Sequence, residues 1–112
     1  MNYRTLGQTG FKVSDVSLGT WQLGGKWGAP FDQADAEATL AAAYEKGVNF
    51  FDTADGYQDG ASEKVVGAFV KQHPDVHYTT KIGRKEVPLS LDHFDPAHLR
   101  RYVDESLQHM GV

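Results

Sequence analysis

Cysteine is absent from the 112 residues. That one gap removes disulfides, thiolate metal ligands and a thiol nucleophile together. Positive charge is also short: 11 Lys and Arg stand against 15 Asp and Glu, for a net charge of −4. Nucleic acids and anionic membrane surfaces attract basic patches, so neither is expected as a partner. No apolar run approaches the ~20 residues that cross a bilayer. Met1 to Gly10 is polar and has no apolar h-region, so no secretory signal is expected. With neither disulfides nor a signal, the cytoplasm is the expected location. Low-complexity segments, linkers and composition breaks are missing too. Residues 1–112 therefore read as one small domain with a modest core.

What is present centres on Asn49 to Tyr57, Asn-Phe-Phe-Asp-Thr-Ala-Asp-Gly-Tyr. It begins inside a short apolar run, Val48 to Phe51, of buried-strand type. It then turns abruptly polar, from Asp52 to Gly56. An acid stands where the strand should end, and a tyrosine follows five residues later. A second strand-like run, Val76 to Thr80, ends on Lys81 in the same way. An acid, a phenol and an amine placed after strands suggest one catalytic mouth. On spacing alone, three unrelated surface residues at loop starts fit equally well.

The rest of the chain falls into order around these runs. Residues 3–14 read as a β-hairpin, with Leu6-Gly7-Gln8-Thr9-Gly10 as the turn. A short strand is expected over Val16 to Thr20, with Gly19 near its end. The loop from Trp21 to Phe31 holds Gly24, Gly25, Gly28 and Trp27. It lacks both the G-x-G-x-x-G and the Walker spacing, and reads as well as a loop whose aromatics line a pocket. A helix should begin near Asp32 or Asp35, either of which can cap it. Its apolar face is Ala36, Leu40, Ala43 and Tyr44, and Gly47 stands where a positive φ ends it. Ser62 is expected to cap a second helix, with Glu63 favouring its positive end. Val65, Val66, Phe69 and Val70 form the buried stripe of that helix, and Gln72-His73-Pro74-Asp75 stops it. Residues 82–94 read as a loop. Asp95-Pro96 opens a last helix, with Leu99, Tyr102, Val103, Leu107 and Met110 as its expected buried face.

A hairpin followed by three strand–helix units predicts an α/β fold with parallel strands and right-handed crossovers. Parallel strands are normally covered on both faces. Helices on one side alone would leave the other side bare, at about 1.5–3 kcal/mol for each large apolar side chain left wet. The pattern is thus the opening part of a larger barrel, a single incomplete domain. Its first and third parallel strands are open edges that invite pairing, including self-association.

Several motifs resemble the N-terminal part of the aldo-keto reductase family: Tyr3-Arg4-Thr5-Leu6-Gly7 with Thr9-Gly10 and Val13-Ser14; Leu18-Gly19-Thr20-Trp21; Gly47 to Asp55 with Tyr57; Ser62-Glu63 with Gly67; and Thr80-Lys81. The resemblance implies a (β/α)8 barrel plugged by a hairpin, with its site at the C-terminal ends of the strands. It implies reversible reduction of aldehydes or ketones by NADP(H). Tyr57 would be the general acid, Lys81 the ammonium beside it, and Asp52 the carboxylate that fixes Lys81. A free phenol titrates near pH ~10, and a neighbouring ammonium favours its ionised form. Gly19, Thr20, Trp21 and Asp52 would lie against the cofactor. Trp21, Trp27 and Tyr57 would line the substrate pocket, although Trp27 fits a packed loop tryptophan equally well. The substrate would be a small carbonyl compound.

The resemblance also implies departures. The family's catalytic histidine follows a fourth strand, and His73, His77, His93, His98 and His109 do not stand at that place. All five read as surface or loop residues without metal-ligand spacing. The segments that hold the cofactor's phosphates are absent as well, so the 112 residues are expected to be inactive alone. The alternative is a non-catalytic or truncated relative acting as a binding or regulatory module. Gln58 stands where the family often has glycine.

Overall fold

The computed structural model describes residues 1–25 and 28–112. Strands β1 (Tyr3–Thr5) and β2 (Lys12–Ser14) pair antiparallel, with Tyr3 opposite Ser14 and Thr5 opposite Lys12. A second sheet holds β3 (Leu18–Gly19), β4 (Phe50–Asp52) and β5 (His77–Thr79), parallel and in that spatial order. Three helices alternate with these strands: α1 (Gln33–Glu45), α2 (Ala61–Gln72) and α3 (Pro96–Met110). The hairpin and three βα units expected from the sequence are present. The sheet does not close into a barrel, and the chain extends 42 × 38 × 21 Å, a slab of wall rather than a ball.

The strands are shorter than the apolar runs suggested, because their flanking residues turn to other partners. Asn49 precedes β4 and fastens the hairpin to it. Its side chain accepts from Ser14 N–H at 2.7 Å and donates to the Lys12 carbonyl at 2.9 Å, while its own N–H donates to Ser14 Oγ at 3.1 Å. Tyr3 Oη adds a bond to the Gly47 carbonyl at 2.8 Å.

Helix α1 starts as expected, with the Asp32 carboxylate accepting from Asp35 N–H at 3.0 Å. It buries Ala36 and Leu40 completely. Gly47 follows it with φ +89°, a left-handed conformation that a side chain would strain. Helix α2 departs from expectation at its start. Gly60, with φ +85°, is the N-cap, and Ser62 lies inside the first turn with no exposed surface. Helix α3 begins at the Asp95 cap and Pro96 as expected, Asp95 Oδ1 accepting from His98 N–H at 2.8 Å. Its buried face is Tyr102, Ser106 and Met110, whereas Val103 and Leu107 are each 44% exposed.

Gly67 explains that rotation of α3. A Cβ built there would fall inside contact distance of the Met110 backbone, so α2 and α3 meet backbone to backbone. Gly67→Ala must push the helices apart. It should destabilise the chain by about 1–3 kcal/mol, the usual cost of overpacking. The urea midpoint measures this, and an unchanged midpoint would contradict the packing described.

The core lies between the sheet and the helices. Phe51, fully buried, leads a row whose register neighbours are Leu18 and Tyr78. Alternation then turns Gly19, Asp52 and Thr79 to the opposite face. That face is the one without helices, and its outer row is small or polar. Phe50, one row in on the same face, is half-buried.

Candidate active site

Three strand ends bring the candidate side chains together. Gly19 and Asp52 are register partners at the ends of β3 and β4, and Thr79 ends β5 beside them. The chain continues into Thr20-Trp21, into Thr53 to Tyr57, and into Thr80-Lys81. Thr53 N–H donates to the Thr79 carbonyl at 2.9 Å, and Asp55 N–H to the Lys81 carbonyl at 3.0 Å. The ladder thus runs past the strands and holds the two loops side by side.

Lys81 is the hub. Its Nζ donates to both oxygens of Asp52 at 2.8 Å, to the Thr53 carbonyl at 3.0 Å and, at a longer 3.4 Å, to Tyr57 Oη. Burial acts to lower the lysine's pKa, but the bonds and charges of Asp52 and Tyr57 outweigh it and raise it above the ordinary value. The ammonium therefore stays protonated across the neutral range. The Asp52 and Lys81 side chains are 36% and 51% exposed, and an ion pair so open stabilises a fold by about 0–1 kcal/mol. Stability alone gives little reason for the arrangement. Orientation of the ammonium toward the phenol gives a better one.

Beside the trio lies a cleft of about 300 Å³, lined by Trp21, Asp55, Tyr57, Lys81, Ile82 and Arg84 among others. Trp21 is 54% exposed on this mouth. Gly19 has open space where a Cβ would point. Thr20 is different: it is fully buried, its N–H and Oγ1 both donating to the Asp52 carbonyl at 2.9 and 3.0 Å. Its side chain supports Asp52 from beneath and offers no surface to the cleft. Trp27 lies outside the described residues.

A layer of polar residues under the mouth was not foreseen. Ser62 Oγ donates to Thr20 Oγ1 at 2.8 Å and lies 3.0 Å from Thr53 Oγ1. Glu63, read from sequence as an acid favouring a helix end, has no exposed surface. It accepts from Thr80 Oγ1 at 2.7 Å, next to Lys81, and lies 2.8 Å from His109 Nδ1. His109 is therefore a tertiary partner, not a plain surface histidine. Farther out, ion pairs of Glu86 with Arg101 and Lys85 with Glu105 tie the loop after Lys81 onto α3. Among the described residues no group of three or more His, Cys, Asp or Glu could hold a metal ion, and no helix is long and apolar enough to cross a membrane.

Known proteins share both the sequence and this architecture. The sequence profile of the aldo/keto reductase family matches residues 15–112. The chain belongs to that family. L-galactose dehydrogenase of Arabidopsis thaliana is 40% identical over 97% of the chain, which covers 34% of that protein. The holo form of an aldo-keto reductase from Bacillus halodurans superposes with a TM-score of 0.79 at 28% identity, over 100% of this chain and 37% of that one. An aldo-keto reductase from Klebsiella pneumoniae in complex with NADPH gives 0.69 at 27% identity, over 90% of this chain and 32% of that one. The chain spans about a third of the length of each of these relatives. Its slab corresponds to a segment of an aldo-keto reductase barrel.

Proposed function

We propose that these residues form the acid–base part of an NADP(H)-dependent carbonyl reductase. The observation that carries this reading is the Lys81 ammonium between the Asp52 carboxylate and the Tyr57 hydroxyl. Tyr57 donates its proton to the substrate oxygen as that oxygen gains charge. Lys81 donates a hydrogen bond to Tyr57 Oη and steadies the phenolate that remains. Asp52 holds Lys81 in place and keeps it charged. In the reverse direction the phenolate takes the proton from an alcohol. The bound dinucleotide supplies the hydride. The open space at Gly19 and the exposed ring of Trp21 fit a flat nicotinamide at this mouth. Trp21 and Tyr57 line the substrate side.

In this reading the remaining barrel strands, the phosphate-binding segments and the catalytic histidine lie in other parts of a complete reductase. The 112 residues alone then neither quench NADPH fluorescence nor consume NADPH with a broad aldehyde. Grafted in place of the matching segment of the Klebsiella pneumoniae aldo-keto reductase, which binds NADPH, they should restore NADPH-dependent turnover. A folded chimera that binds NADPH without turnover would favour the alternative, a binding or regulatory module. The open edges at β3 and β5 suit a further strand-bearing partner. Light scattering showing a strict monomer would argue against a second copy in that role.

A further inference from the structure

The loop that carries Tyr57 does not rest comfortably by itself. Gln58 and Asp59, just after the tyrosine, have φ of +50° and +52°. Neither is glycine, and a non-glycine residue in the left-handed region is strained. Such a turn persists only if its surroundings hold it. The contact it must preserve has little slack. Lys81 Nζ and Tyr57 Oη are 3.4 Å apart, near the limit of a hydrogen bond. A few tenths of an ångström of drift would break it.

One side chain spans the gap between the two loops. Asp55 lies two residues before Tyr57 and is only 4% exposed. Its N–H donates to the Lys81 carbonyl, and its Oδ2 accepts from Gly83 N–H at 3.3 Å. The residue therefore holds the second loop at Lys81 and again two residues beyond it. Gly83 has φ +95° and lies close against the Phe94 ring, which leaves no room for a side chain there. Burial raises the Asp55 pKa above its ordinary value, although the N–H groups of Gly83 and Gly56 and the charge of Lys85 act to lower it and Glu63 adds to the rise. Burying a carboxylate this deeply is costly, and a surface loop acid needs no such burial.

We propose that Asp55 is a positioning residue that clamps the Tyr57 loop to the Lys81 loop through Gly83, and so sets the Lys81–Tyr57 distance. The proposal rests on the reading of Tyr57 and Lys81 as the reacting pair only for its significance. Its test needs no turnover, so it stands or fails separately from carbonyl reduction.

The test is a coupling measured on the 112-residue chain. Lys81 titration is followed by NMR at its Cε and Nζ. Tyr57 raises the lysine pKa, so Tyr57→Phe lowers the midpoint in the parent chain. In an Asp55→Ala background the same Tyr57→Phe change should leave the midpoint unmoved. Asp52→Asn should still lower it, because sheet pairing holds Asp52 beside Lys81. Asp55→Asn keeps an acceptor for Gly83 and should restore the Tyr57 coupling. General loosening would erase both couplings, so loss of one alone marks the clamp. If Asp55→Ala fails to fold by circular dichroism, Asp55→Ser takes its place, its hydroxyl being too short to reach Gly83. A Tyr57 coupling that survives removal of the carboxylate, or that Asn does not restore, overturns the proposal.

Discussion

Tyr57→Phe is expected to slow carbonyl reduction by the grafted segment about 10²–10⁴-fold, the usual contribution of a positioned general acid. Phenylalanine keeps the ring and its packing and removes only the proton donor. The loss should therefore fall mainly on kcat, because proton donation matters as charge develops and little in substrate binding. Lys81→Met, which keeps the stem and deletes the ammonium, should cost a similar factor. The double variant should be little worse than either single one, since Lys81 acts through Tyr57 Oη. Steady-state kinetics of the three variants test this directly. A kcat within tenfold of the parent for Tyr57→Phe would remove the phenol from the mechanism.

The largest effect on stability should come from Glu63→Ala. The carboxylate is wholly buried and has partners on two elements, Thr80 after β5 and His109 on α3. Truncation leaves both polar partners facing a cavity. Leaving a buried hydrogen-bond partner unsatisfied costs about 1–3 kcal/mol, and here two partners lose theirs. For a domain of this size that is a fall in Tm of roughly 10 °C or more. His109→Ala should cost less, because its ring is 25% exposed and water can replace part of what it lost. Thermal unfolding of the two variants side by side checks the order. Equal and small losses would show that the buried carboxylate is not what joins α2, β5 and α3.

The difference between what could be read and what could not follows the range of the interactions. Asp32, Gly47, Asp95 and Pro96 mark helix ends through bonds within a few residues, and each stands where the sequence placed it. The strand exits at Asp52 and near Lys81 were legible because a polar residue after an apolar run marks a strand end. The misread residues depend on distant partners. Glu63 meets its histidine across 46 positions, so its letters alone resemble an ordinary solvated acid. Ser62 looked like a cap because serine at a helix start usually is one, and only the contact with Thr20 shows it as a buried hub. On α3 two neighbouring stripes have the same period, 99–103–107 and 102–106–110. Periodicity cannot choose between them, whereas the close approach of Gly67 to Met110 does. Asp55 escaped notice because a turn acid beside glycine needs no special explanation until its burial is known.

The small and polar outer row of the helix-free face has a consequence for biosynthesis. Ribosomes deliver a barrel from its N-terminus, at about 5–20 residues per second. For some seconds the first strands of such a protein stand without the later ones. Gly19, Asp52 and Thr79 give that interval a wettable surface, so a nascent chain can wait for its remaining staves with less risk of clumping with its neighbours. The polar row at the rim of the candidate site can thus also protect a half-made protein.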